Sequence, residues 1–418
     1  MNLMHPSPFR ERFYFPISEK TKSPKVYLDG NSLGPMLRSV PKHLQHVIEH
    51  QWAEKLIGGW NAGWLDLPTR LGDLVGQILG AKPGETLIAD STSVNLFKLA
   101  VAAIAESPQR YQILTDRSNF PSDRYVLENL HRIANSKIDV QTIPWSVDSK
   151  TNVVEILERA ITPQTGLICL SHVDYRSGFA FDIPAITQLA HRHGVRVLWD
   201  LSHSVGVMPI ELAACQVDMA VGCTYKFLNG GPGAPAFLYV RSDLQSQLQN
   251  PIAGWLSAAK PFAFGDQFEP SDSICRFWVG TPPILSMAAM EPGLKLTLEA
   301  SVAWLRDRSI QLTGYAIEQA THRLDKLGFR VVTPVDPAQR GSHVAHVALA
   351  HPEAWRITRA LIEKYDLIPD FHSPNLIRLG IAPLYNSAKE LDQSIDSLER
   401  IILDREFESY SDSASGVT

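Results

Sequence analysis

The stretch Val217-Asp218-Met219-Ala220-Val221-Gly222-Cys223-Thr224-Tyr225-Lys226-Phe227-Leu228-Asn229-Gly230-Gly231-Pro232-Gly233 leads an apolar run up to an amine and follows it with a glycine-rich turn. Residues 217–222 read as a short buried strand. A lysine just beyond such a strand is partly desolvated, and desolvation disfavours the ammonium form. A neutral amine attacks an aldehyde, so Lys226 is a candidate for covalent binding.

Upstream, residues 195–200 read as a second buried strand that closes on Asp200 and is followed by Ser202, His203 and Ser204. Pyridoxal phosphate (PLP) needs a lysine for its Schiff base and a carboxylate that keeps the pyridine nitrogen protonated. Two adjacent strand ends supply both groups in Lys226 and Asp200. The plainer alternative is a solvated lysine and an acid that caps the next turn.

A phosphate dianion is best held at a helix N-terminus, where free N–H groups and the helix dipole favour negative charge. Asp90-Ser91-Thr92-Ser93-Val94-Asn95 offers such a start, with hydroxyls on Thr92 and Ser93. Ordinary N-capping explains the same residue types. In Asn119-Phe120-Pro121-Ser122-Asp123, Phe120 would lie over a cofactor ring, Ser122 would cap a helix and Asp123 would orient donors from behind. His203 faces the phosphate or an acid through a turn, or is a helix-start histidine without a ligand. Tyr225 holds the phosphate or relays a proton, or simply packs its ring.

The remaining composition narrows the partners. A net charge of −5 with acids and bases interspersed leaves no basic stripe for nucleic acid and no polybasic membrane patch. No apolar run approaches bilayer-spanning length, and the start lacks a charged segment followed by an apolar one, so a small-molecule partner and a cytoplasmic location are expected. Cys169, Cys215, Cys223 and Cys275 lack Cys-x-x-Cys spacing, which favours buried thiols over disulfides or a metal site. His191 and His193, just before Gly194, suit a helix C-terminus better than zinc.

At 418 residues the chain exceeds what one core usually serves. Apolar runs at 86–89, 111–114, 166–170, 195–199, 219–222 and 237–240 alternate with helical patterns at 94–105, 122–134 and 183–193, the pattern of parallel strands joined by crossover helices. The expected class is α/β, with a large domain over 52–283 built on a mostly parallel sheet and a smaller α/β domain over 284–410. Residues 284–327 read as a long amphipathic stretch broken near Pro292-Gly293, followed by strand-like runs at 329–332 and 344–348. Residues 1–51 are expected to pack with the small domain, and 411–418 to form a flexible tail.

With these residues laid out, the chain resembles kynureninases, fold-type I PLP enzymes related to the class V aminotransferase group. The resemblance runs from about residue 27 to 386 and rests on four stretches. They are Tyr27-Leu28-Asp29-Gly30-Asn31-Ser32-Leu33-Gly34-Pro35, Phe120-Pro121-Ser122-Asp123, Trp199-Asp200-Leu201-Ser202-His203-Ser204 and Tyr225-Lys226-Phe227-Leu228-Asn229. Trp255 and the run from Leu379 to Ser387 strengthen it. The resemblance implies that Lys226 carries PLP, Asp200 pairs with its pyridine nitrogen and Phe120 stacks on its ring. Thr92, Ser93, Tyr225 and Trp255 would contact the phosphate, with Ser122, Asp123, His203 and Thr281 completing the cofactor site. Arg378 would clamp the substrate carboxylate, and Asn31, Ser32 and Trp60 would also contact substrate. The implied reaction is hydrolytic cleavage of the β–γ bond of L-kynurenine to anthranilate and L-alanine, in tryptophan catabolism, with Tyr225 as candidate acid or base. The resemblance also implies a homodimer with shared sites, Trp255 and Thr281 crossing from the partner. Where relatives favouring 3-hydroxykynurenine place His and Asn, this chain has Trp60 and Thr281. A ring hydroxyl buried against an indole loses about 1–3 kcal/mol, so unsubstituted kynurenine is the expected substrate.

Overall fold

The computed structural model describes residues 3–134, 137–149, 151–348 and 353–411. A seven-stranded sheet holds the middle of the chain, in the order Thr86–Ile88, Phe237–Val240, Met219–Gly222, Arg196–Asp200, Thr165–Ser171, Gln112–Asp116 and Asp139–Ile143. Phe237–Val240 runs antiparallel to both neighbours, and the other pairs are parallel. Both faces are covered, so the central strands need apolar residues at every position. Val197, Trp199 and Ala220 enter the core on one face, while Leu198, Met219 and Val221 enter the core on the other. Helices Thr92–Glu106 and Pro121–Ile133 cover the second face, and Leu67–Ile78, Val153–Ala160 and Ile183–Arg192 the first.

Six of these strands coincide with the apolar runs. The seventh, Asp139–Ile143, is an edge strand whose Gln141 and Thr142 are exposed, so burial never demanded an apolar run there. The stretch 284–327 does break, but at Ser301 and not at Pro292-Gly293. Helix Ile284–Ala300 contains Pro292, and helix Val302–Leu324 begins after Ser301, whose φ is 63° and whose hydroxyl accepts the Trp304 N–H. An internal proline costs about 3 kcal/mol. Burial of Met287, Met290 and Leu294 on the same helix offsets that cost. Ser122 does not cap its helix either: Phe120 is the N-cap residue, Pro121 opens the helix, and Ser122 lies within the first turn.

A four-stranded antiparallel sheet follows, in the order Asp370–His372, Leu376–Gly380, His343–Ala348 and Phe329–Val331. Ile377 and Leu379 point into cores shared with helices Val302–Leu324 and Ala388–Leu403. The alternate residues Arg378 and Gly380 therefore belong to the opposite face. The N-terminal segment packs alongside: Val26–Tyr27 pairs in parallel with Leu367–Ile368 as a separate two-stranded sheet, and Asp29 bridges to Gly380 of the four-stranded one. Residues 412–418, most of the expected tail, lie outside the described residues.

Candidate active site

Parallel strands present their C-terminal ends at one edge, the usual place for a ligand crevice in an open α/β sheet. Asp200 ends its strand beside Ser171 on one neighbour and Val221 on the other. Lys226 follows the strand that contains Val221, so the lysine and the acid come from adjacent strand ends. The acid is held in place by the Ser202 N–H, 2.8 Å from its Oδ1, and the Ser202 hydroxyl in turn accepts the Cys223 N–H at 3.1 Å. The lysine turn is closed by Gly230 N–H to Thr224 O at 2.9 Å, with Asn229 at a φ of 55°.

Lys226 and Asp200 line one cavity. Thr92, Ser93, Phe120, Ser122, Asp123, His203 and Tyr225 line it too. Lys226 Nζ is 2.6 Å from His203 Nε2 and 5.7 Å from the centroid of the Phe120 ring. Burial, then the neighbouring Lys226 charge, holds His203 well below its usual pKa, so the imidazole is neutral. Burial, then the adjacent Asp200, pushes the Asp123 carboxyl well up. Two acids sharing a buried site cannot both ionise, so Asp123 keeps the proton. Cys223 and burial raise the Tyr225 phenol, which holds its proton at neutral pH.

At the far side, Ser91 caps helix Thr92–Glu106 by accepting the Val94 N–H, which leaves Thr92 and Ser93 in the first turn. Asp90 has a φ of 48°, and its carboxylate is neutralised by the buried Lys98 at 2.6 Å, which also donates to Phe277 O at 2.8 Å. An anion at the helix start therefore meets no uncompensated acid there.

The residues fit a phosphorylated aromatic aldehyde. An amine opens on the cavity, an aromatic face flanks it, hydroxyls stand at a helix N-terminus, and Asp123 Oδ2 is buried without a partner beside Asp200. Those last two groups suit a ring nitrogen.

Other expected residues lie elsewhere. Trp60 and Trp255 do not line this cavity; their rings meet each other at 6.3 Å, within a cluster that includes Trp64, Phe262 and Phe264. Thr281 is exposed and also outside the cavity lining. Arg378 is 3% exposed, with Nε 2.6 Å from Asp370 Oδ2 and a further bond to Tyr175 O. Tyr175 lines the cavity and meets Phe120 edge-on at 5.2 Å, so the guanidinium reaches the site's wall through it. Asn31 is fully buried with both amide atoms unpartnered, and Ser32 is half-buried nearby in the chain.

Ser202 lines the cavity as well, and so do Ser91, Ser171 and Tyr175, to which the sequence assigns no role. Ser171 was recoverable, because it ends a strand already recognised as parallel and buried. Tyr175, in the following loop, carried no such signal.

Two family models match: "Kynureninase C-terminal domain" over residues 305–398 and "DegT/DnrJ/EryC1/StrS aminotransferase family" over 98–218. Among solved structures, a cysteine desulfurase from Thermococcus onnurineus NA1 superposes with a TM-score of 0.79 at 17% identity, covering 97% of this chain and 100% of that one. A C-DES mutant with glycine covalently linked to its PLP cofactor gives a TM-score of 0.78 at 18% identity, covering 90% of this chain and 96% of that one. At such identities the likeness shows the fold, which is that of fold-type I PLP enzymes. A kynureninase from Pseudomonas fluorescens is 38% identical over 401 residues, 95% of this chain and 92% of that protein. One from Burkholderia pseudomallei (strain 1106a) is 37% identical over 405 residues, 96% of this chain and 93% of that one. With likeness of that depth along nearly the whole of both chains, this chain belongs to the kynureninase family.

Proposed function

We propose that this chain cleaves the β–γ carbon–carbon bond of L-kynurenine with water, giving anthranilate and L-alanine, with pyridoxal 5'-phosphate bound at Lys226. The observation that carries the reading is the meeting of Lys226 and Asp200 on adjacent strand ends over one cavity. When bound, the cofactor supplies an electron-accepting ring that stabilises negative charge on substrate carbons.

The chain's own residues supply the rest. Lys226 would hold the cofactor and, when not bonded to it, the lysine amine would take and return the proton at the substrate's α-carbon. Neutral His203, 2.6 Å away, accepts a hydrogen bond from that amine without competing for charge. Asp200, oriented by the Ser202 N–H, would pair with the ring nitrogen, and Phe120 would pack on the ring. Thr92, Ser93 and the helix start hold the phosphate, with Ser122, Asp123 and Tyr225 closing the cavity. Tyr225 serves as a proton donor near the ketone, in keeping with its raised pKa. Arg378, Asn31 and Ser32 bind the amino-acid end of the substrate.

We read residues 52–283 as the cofactor domain, and 284–410 with 1–51 as the smaller one. The chain acts in the cytoplasm as a homodimer in tryptophan breakdown. Exposed Trp52, Leu56, Ile57, Phe262 and Phe264 form the apolar surface that a second copy covers. Trp60 lies on that surface and meets Trp255, and our reading has Trp255 and Thr281 crossing to complete the partner's site. Among the described residues no helix is long and apolar enough to cross a membrane.

The test is an anthranilate fluorescence assay on protein whose cofactor absorption band is bleached by borohydride. Release of anthranilate from kynurenine supports the reading, and catalytic efficiency on 3-hydroxykynurenine should be lower. A colourless protein that PLP does not reconstitute overturns it. Equal or higher efficiency on the hydroxylated substrate overturns the preference alone. Desulfuration is disfavoured, since Cys275 sits in the short helix Ile274–Phe277 away from the cavity.

A further inference from the structure

Strand Leu376–Gly380 has Gly380 opposite His343 on one side and Asp29 on the other. Residues directly opposite in a sheet share a face, and diagonal neighbours lie within reach of long side chains. His343, Arg378 and Asp29 therefore share the face turned away from the helix-covered cores. Gly380 leaves room on that face for Asn31: a Cβ there would lie 1.7 Å from Asn31 Oδ1. The His343 ring meets the His203 ring edge-on at 5.5 Å, and His203 in turn touches Lys226.

His343 is fully buried, and neither ring nitrogen has a partner. A neutral imidazole always presents one donor and one acceptor, and leaving such groups unpaired is costly. Both amide atoms of Asn31 are orphaned in the same way. Three donor-bearing groups, from His343, Asn31 and Arg378, thus share one face, which His203 links to Lys226. Two of them are waiting for a partner. The charged and titratable groups around His343 are Arg378, Asp370, His372, His203 and Lys226, with Asp29 on the same face across Gly380. Burial, followed by Arg378, lowers its pKa to about 3, so it works uncharged.

We propose that His343 is a substrate-binding residue whose ring N–H, together with Asn31 and Arg378, binds the α-carboxylate of the amino-acid substrate. The inference rests on the amino-acid-cleaving function proposed above. It assigns a neutral hydrogen-bond donor to the carboxylate, in addition to the guanidinium.

The test uses cofactor-loaded H343L, H343Q and H343N, with L-alanine and ethylamine titrated against the cofactor's absorption band. Loss of a hydrogen bond to a charged group corresponds to a weakening of about 10- to 100-fold. H343L should bind L-alanine about 10-fold or more weakly and show a raised KM for kynurenine. Ethylamine, which has an amine but no carboxylate, should bind as it does to the unaltered enzyme. H343Q, which also offers one donor and one acceptor, should stay within about 3-fold. The shorter H343N should fall with H343L, so the inference remains exposed if the leucine variant does not fold. Unchanged L-alanine binding in either H343L or H343N, or equal loss for L-alanine and ethylamine, overturns it. Unaltered enzyme that binds L-alanine yet releases no anthranilate overturns the function instead.

Discussion

Lys226 and His203 touch at 2.6 Å in a pocket that also presents Asp200, Asp123 and the Phe120 ring. K226A should lower turnover by about 10²–10⁴-fold, the usual worth of a positioned acid–base group, and should leave no borohydride-trapped cofactor by mass spectrometry. Asp29 carries a different prediction. Burial, then the nearby Asp370, raises its carboxyl to about 7, and its Oδ1 has no partner. The folded protein therefore holds this proton more tightly than the unfolded chain does. That contribution to stability is full below about pH 4 and is lost as pH rises through about 7. D29N has no such proton to lose. Urea midpoints of the cofactor-free protein should shift in favour of D29N between pH 5 and pH 8, and parallel pH dependences would contradict the assignment.

The lysine turn is an element built from both ends of the chain. Gly34 donates its N–H to Tyr225 O at 2.7 Å, and a Cβ at that position would lie 2.5 Å from Lys226 O and 2.4 Å from Asn229 Oδ1. Gly293, on helix Ile284–Ala300, approaches Leu228 O just as closely from the other side. The turn is thus clamped between the N-terminal segment and a long helix, with no space for a methyl group. G34A should cost roughly 1–3 kcal/mol of stability by overpacking. It should also weaken cofactor retention, measured as the PLP dissociation constant, because the turn that moves carries the lysine. A variant that loses stability but keeps its cofactor affinity would separate the clamp from the site. Helix Ile284–Ala300 teaches the same lesson about local rules: Pro292 ought to break it, but burial of its apolar face keeps it whole up to Ser301.

For the whole molecule, the surface around Trp60 and Trp255 leaves large apolar side chains exposed. Ile57 is 80% exposed there, beside Trp52 and Leu56. I57D should convert a dimer into a 46.4 kDa species in sedimentation velocity, and activity should fall with it if Trp255 and Thr281 complete the partner's site. A dimer that survives the charge, or a monomer with full activity, would contradict that reading. The amino-acid sequence by itself determined the strand that ends in Asp200, the strand that precedes Lys226, the helix start at Thr92 and the Phe120 turn. These follow from contiguous apolar runs, from capping chemistry and from motif residues close together in the chain. The edge strand Asp139–Ile143 escaped because one exposed face removes the pressure for an apolar run. Only the tertiary structure decided that Asp29, Asn31, His343 and Arg378 share one face, and that Arg378 reaches the cavity wall through Tyr175. Asp29 and Asn31 are hundreds of positions from His343 and Arg378, and no local pattern encodes which strands will pair. Sheet register alone sets which side chains face the lysine, and register is fixed only when the whole chain packs.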